Sequence, residues 1–180
     1  MSLSTRVIAA LGAVVVIGAG TVGLSVAHAN DKGEPEKHLA TLTVGRSSIH
    51  SAPFCYNDGK ALSEEAQAKC QSDAKKAEAD GSLPTSDVVA SDQIGVGVEP
   101  GVADKGWFAF TNGGTQGQAT LASARKGSTY SGSVAATSVL NAGEKTTVTV
   151  VEADQKTQDI IGVWYFQLKN KDAVTVAATK

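Results

Sequence analysis

The stretch at residues 160–169, "IIGVWYFQLK", constrains this chain more than any other. Aromatic and β-branched residues suit a pleated backbone, and a strand sends successive side chains to opposite faces. The alternation therefore places Trp164, Phe166 and Leu168 on one face and Val163, Tyr165 and Gln167 on the other. The first trio is wholly apolar and is the expected core face. Residues 145–153, "KTTVTVVEA", repeat the pattern, with Val148 and Val150 inward and Thr147 and Thr149 outward. Two such strands each carry one apolar face, and that face needs a second layer to cover it.

Further strand signals supply that layer. "HLATLTVG" and "SSIHSAPF" come early, followed by "DVVA", "QIGVGVEP", "GWFAFTN" and "STYSGSVAAT". Clusters of Gly, Asn, Asp and Ser that suit turns separate them. About seven short strands with two facing apolar sets predict an all-β, immunoglobulin-like β-sandwich. Trp107 is assigned to its core, where the indole N–H needs a hydrogen-bond partner. One short helix is expected at "LSEEAQAKC". Ser63 can cap it, Glu64 and Glu65 complement the positive end of the helix dipole, and Lys69 complements the negative end. Residues 71–87, "QSDAKKAEADGSLPTSD", have almost no apolar content and read as a solvated loop or a frayed extension of that helix.

The N-terminus carries a different signal. Arg6 precedes an apolar run at residues 7–26, and Ala27-His28-Ala29 follows. Those are the three parts of a secretory signal peptide, with cleavage expected before Asn30. The glycines Gly18, Gly20 and Gly23 also spell GxGxxG, the turn that holds a dinucleotide's pyrophosphate. That turn needs a helix after it and a second strand ending in an acid. Here Gly33 and Pro35 break any helix, and the next strand-like run ends in Gly45 and Arg46, so no cofactor is expected. The apolar run exceeds the usual signal-peptide length of about 7 to 15 residues and approaches the roughly 20 that span a bilayer. An uncleaved anchor is therefore the alternative. The resulting organisation is a signal peptide at 1–29, a polar linker at 30–38 and one domain at 39–180.

The export reading also bears on charge and cysteines. Cleavage removes Arg6 from the 16 Lys and Arg and leaves all 18 Asp and Glu, so the mature formal charge is −3. A mildly acidic chain without a basic cluster offers no electrostatic footprint for nucleic acid. Cys55 and Cys70 suit an oxidising compartment, where an even count means a bridge, and one pair allows one intrachain connectivity.

Catalytic patterns are sparse. His38 lies in the linker and His50 near a strand, without HExxH or any comparable metal spacing. The serines of "GRSS" and "YSGS" do not make GxSxG, and CxxC is absent. "FCYNDGKALSEE" echoes a calcium loop through Gly59 and Glu65, but Phe54 and Tyr56 stand where oxygen ligands are required. It reads instead as a tight Asn57-Asp58-Gly59 turn. In "VEPGVADKGW", Glu99 and Asp104 sit beside Pro and Gly and read as turn chemistry.

"LATLTVG", "CYNDGKALSEE", "GVGVEPGVADKGW" and "GVWYFQLK" together resemble a family of small exported actinobacterial proteins known in Streptomyces, many of them lipoproteins, whose function is unknown. The resemblance spans about residues 39–169. It implies an extracytoplasmic location, a Cys55–Cys70 bridge and a β-rich domain, and it supplies no activity. Such lipoproteins carry a cysteine directly after the apolar run, where this chain has "VAHAN", so simple secretion is expected instead.

The sequence thus leads to a secreted or envelope-associated, non-catalytic binding or structural module. Its expected recognition loops are the disulfide-tethered segment, with Tyr56, Asn57 and Asp58, and the segment with Asp104, Lys105 and Trp107. Its partner is an extracellular or envelope ligand, and a membrane is involved only through an uncleaved N-terminus. The alternatives are a membrane-tethered surface domain and a small hydrolase built on His50 and a nearby acid. Intact-mass measurement on protein from medium and from membranes checks the export reading. The expected result is a species in the medium that begins at Asn30 and gains two hydrogens on reduction; a full-length species held in the membrane fraction contradicts it.

Overall fold

The computed structural model describes residues 38–173. Ten strands and three helices follow one another in the order β1 (Ala40–Val44), β2 (Ser47–Ser51), β3 (Cys55–Tyr56), α1 (Glu64–Asp80), β4 (Thr85–Val88), β5 (Gln93–Val98), α2 (Pro100–Lys105), β6 (Trp107–Thr111), β7 (Ala119–Arg125), β8 (Tyr130–Ala135), α3 (Ala136–Val139), β9 (Lys145–Ala153) and β10 (Ile160–Asn170). They build two sheets. One has the order β2-β1-β5-β8 and is antiparallel throughout. The other has the order β3-β10-β9-β6-β7, also antiparallel, with β4 added in parallel along β10.

Side chains of both sheets enter one apolar core. Leu42 of β1 and Ile94 and Val96 of β5 meet Ala109 of β6, Val148 and Val150 of β9, and Trp164, Phe166 and Leu168 of β10. The inward faces expected for the last two strands are therefore the observed ones. The short helices extend this core, α2 with Val102 and Ala103 and α3 with Ala136 and Val139. Beside α3, Gly113 packs so tightly against the Val139 carbonyl that any Cβ would overlap it. Trp107 is buried, and its indole N–H donates to the Ser128 carbonyl at 2.6 Å, the partner its burial requires.

The outward faces differ from the sequence expectation. Val163, Gln167 and Thr147 are buried, and Tyr165 and Thr149 are half-buried. The reason is α1, which runs 17 residues where about two turns were expected and covers this face. Residues 71–80 are the helix extension and not the loop, and Ala74 within them is buried. Gly81 ends the helix in the left-handed region at φ 69°, and its N–H and that of Ser82 satisfy the carbonyls of Glu78 and Ala77. Beyond it, Leu83 is buried and β4 joins β10, so the rest of the 71–87 segment is also structured. The contact stripe of the helix is Ala66, Cys70 and Ala74, one residue every four, which lines one face of an α-helix, and Leu62 just before the cap packs with it. Ser63 caps its start, accepting from the Ala66 N–H at 3.2 Å.

A second, smaller core forms between helix and sheet from Leu62, Cys70, Val151 and Val163, with Tyr165, Phe108 and Phe110 packed against it. The Cys55–Cys70 disulfide stitches β3 to the middle of α1, as expected, and no cysteine is left free. The strand count also exceeds the expectation. β3 and β7 were not foreseen, and α2 replaces what read as a turn. The expected cleavage residues Ala27, Ala29 and Asn30 lie outside the described residues.

Truncating the buried Phe166 leaves a cavity between the two sheets. Phe166→Ala lowers the free energy of unfolding by about 3–5 kcal/mol in a urea titration. Ser63→Ala removes one cap bond and costs about 1 kcal/mol in the same assay.

Candidate functional site

Two features stand out once the layers are assembled: a closed polar cluster where α2 leads into β6, and an open groove beside α1. The closed cluster follows from strand register. Arg125, Trp107, Glu152, Gly162 and Tyr56 stand opposite one another in a row that crosses β7, β6, β9, β10 and β3. Glu152 continues the inward parity of Val148 and Val150, so its carboxylate is carried into the interior and is fully buried. Gly162 makes room for it, since a Cβ there would stand 3.2 Å from Oε2.

Neither carboxylate oxygen of Glu152 has a hydrogen-bond partner among the described residues. The cation beside it is Lys105, from the last turn of α2, whose Nζ lies 3.7 Å from Oε1 and donates to the Gly59 carbonyl at 3.1 Å. Burial pushes the Glu152 carboxyl above the usual range, and the charges of Lys105 and His38 oppose that only in part. His38 is fixed from three sides. Its N–H donates to Glu99 Oε2 at 2.8 Å, its carbonyl accepts from the Trp164 indole at 2.9 Å, and its ring Nε2 hydrogen-bonds the Tyr56 hydroxyl at 3.0 Å. Burial raises the Tyr56 hydroxyl above its ordinary value, and the negative charges of Glu152 and Asp58 add to this.

The structure thus brings together the two segments singled out in the sequence. Lys105 holds the turn of Asn57, Asp58 and Gly59, in which Asp58 and Gly59 take left-handed backbone at φ 46° and 76°. Asn57, Asp58 and Asp104 are exposed, whereas Trp107 is interior and offers no surface to a partner. Cys55 and Cys70 are committed to their bridge. His50 is exposed on the edge strand β2, opposite Thr41, and no acid hydrogen-bonds it among the described residues.

The open groove results from the limited width of α1. Its stripe of small residues packs through Ala66 and Cys70 on Val151 and Val163 and leaves the outward side chains of β6 half-uncovered. Phe108 and Phe110 stand there with rings nearly parallel, at an interplanar angle of 16° and 6.2 Å between centroids. Two adjoining cavities of about 310 and 260 Å³ share Gln71, Phe110, Thr149 and Tyr165. The larger is floored by Val151, Ile160 and Val163 and carries no charged side chain in its lining; the smaller adds Lys75 and Glu78. Glu78 is occupied by the Thr147 hydroxyl at 2.6 Å. Burial holds the Tyr165 phenol above its ordinary value, so at neutral pH it remains a hydrogen-bond donor.

Sequence reasoning passed over this groove, because its helix wall lies in a segment that reads as polar. Among the described residues no group of three or more His, Cys, Asp or Glu side chains could hold a metal ion. No helix among them is long and apolar enough to cross a membrane. No protein-family model, curated protein or solved structure matches the chain.

The position of Glu152 sets a pH dependence. Its folded pKa lies above the unfolded value, so the neutral form adds stability that is complete below the ordinary glutamate range and is lost as pH rises through the folded value. Urea titrations at several pH values check this. Glu152→Gln raises the unfolding midpoint at pH 7.5, and its advantage over the wild type shrinks on acidification toward pH 5; a pH-independent difference contradicts the assignment.

Proposed function

We propose that this is an extracytoplasmic, non-catalytic binding module, built as an immunoglobulin-like sandwich, that takes an uncharged apolar group of a partner into the groove between α1 and β6. The observation that carries this reading is the groove itself. It has aliphatic and aromatic walls, a floor without charge, and Gln67, Gln71 and Thr149 to orient a ligand at its margin. Half-covered Phe108 and Phe110 are the kind of surface that gains most from being buried by a partner. The closed cluster supports the non-catalytic part of the reading, because there His38 is hydrogen-bonded to Tyr56 and Lys105 stands beside the buried Glu152.

The disulfide supports the location, because such bridges persist in oxidising compartments. Secretion after cleavage before Asn30, and kinship with the exported actinobacterial proteins that the sequence resembles, complete the proposal. The two exposed loop residues Asn57 and Asp58 remain the alternative contact surface, since they flank the same helix.

A photo-crosslinking residue distinguishes the two surfaces. The full-length chain is expressed in its own host with p-benzoylphenylalanine in place of Phe110, or in place of Asp58, and irradiated in intact cells. The groove reading expects one defined adduct from position 110, which disappears with a second change, Phe108→Asp. An adduct from position 58 and none from position 110 would overturn the groove in favour of the loop.

A further inference from the structure

We propose that Glu152 and Lys105 form a proton-operated latch on the turn at residues 57–60. This rests on the closed cluster and is independent of the groove. Locally the turn is braced by the Lys60 N–H, which donates to the Asn57 carbonyl at 2.8 Å, and by the Asn57 side-chain amide, which donates to the Ala61 carbonyl at 3.3 Å; its apex is tied across the domain by Lys105 Nζ, which donates to the Gly59 carbonyl. Glycine suits position 59, where the backbone is left-handed at φ 76° and a Cβ would crowd Nζ at 2.9 Å. Lys105 is 36 % exposed, and a lone hydrogen bond from an exposed lysine holds a loop weakly. The charge of Glu152, 3.7 Å behind the ammonium, is what anchors it. A buried carboxylate without hydrogen-bond donors is held in its ionised form only by the neighbouring charges of Lys105 and His38, so taking up a proton removes the anchor.

The groups facing Glu152 set how the latch responds. Lys105 comes from α2, Tyr56 from β3 and His38 from the residues before β1, while β10 presents Gly162 and the ring of Trp164. Arg125 of β7 stands in the same cross-strand row beyond Trp107, and its Nε is buried without a partner. Glu99 is tied to the His38 N–H, and the Asp58 charge acts on Tyr56. His38 is another ionisable group beside Glu152, and its charge favours the ionised carboxylate and so the closed latch.

Amide hydrogen exchange on the intact, oxidised protein between pH 4.5 and 8, corrected for the intrinsic pH dependence of exchange, tests the latch. The wild-type Lys60 amide should lose about fivefold or more of its protection as pH falls across this range, while β9 and β10 keep theirs. Glu152→Gln should show the unlatched, low protection at every pH even though its global unfolding midpoint is raised, which separates release of the turn from loss of the fold. Lys105→Met should also free the turn, and its global stability should improve on acidification. Protection at Lys60 that does not change with pH in the wild type, or that stays high in Glu152→Gln at pH 7.5, would overturn the latch. A pH transition that persists unchanged in Glu152→Gln would overturn it as well.

Discussion

The larger sheet and the helix layer on it are registered on β10. The strand is 11 residues long, pairs with β9 along one edge and with β3 and then β4 along the other, and buries side chains on both faces. Its inward face closes the main core with Trp164, Phe166 and Leu168. Its outward face carries Val163 and Tyr165 into the smaller core under α1. A strand covered on both faces cannot slip by one residue without exposing one apolar set and burying the wrong one. Its register therefore also places Gly162 beside Glu152 and Tyr56 opposite Gly162.

The connection from β3 through α1 to β4 follows from that strand. β3 runs antiparallel to the first part of β10 and β4 parallel to its last part, so the chain between them must travel back along the sheet. A 17-residue helix, about 25 Å long, covers that distance. On the chain-entropy argument the bridge at its middle, closing a separation of 15 residues, contributes about 3 kcal/mol. That matters because the interface of α1 consists of alanines and one half-cystine, which bury little area each. The same small side chains fill little of the space beside Phe108 and Phe110, so the groove and the reliance on the disulfide have one cause.

Much of this was legible in the sequence. The inward faces of β9 and β10, the burial of Trp107, the cap at Ser63 and the cysteine pair all follow from alternation, side-chain chemistry and counting. The length of α1 was not legible, because Ala66, Cys70 and Ala74 give a faint apolar stripe and the rest of the helix is charged, polar or alanine. Helix continuation to Asp80 depends on the sheet beneath, which no local window contains. The outward residues of β10 were misjudged for the same reason: alternation tells which residues share a face and not what covers the second face. Glu152 could have been found. Extending the inward parity of Val148 and Val150 by two residues places an acid among core positions, and an acid there signals either a partner or a function. The groove needed the positions of α1 and β6 together, which lie some 30 residues apart in the chain.

The central claim is that α1 is a separate outer layer, held by the disulfide over a sheet whose inner core stands without it. Residue-resolved hydrogen exchange on the oxidised and the reduced protein, under otherwise native conditions, measures this directly. The account predicts that reduction collapses protection throughout α1 and at the β3 pairing while the amides of β9, β6 and β5 keep high protection. Loss of protection in all elements together on reduction, or an unchanged α1, would contradict it.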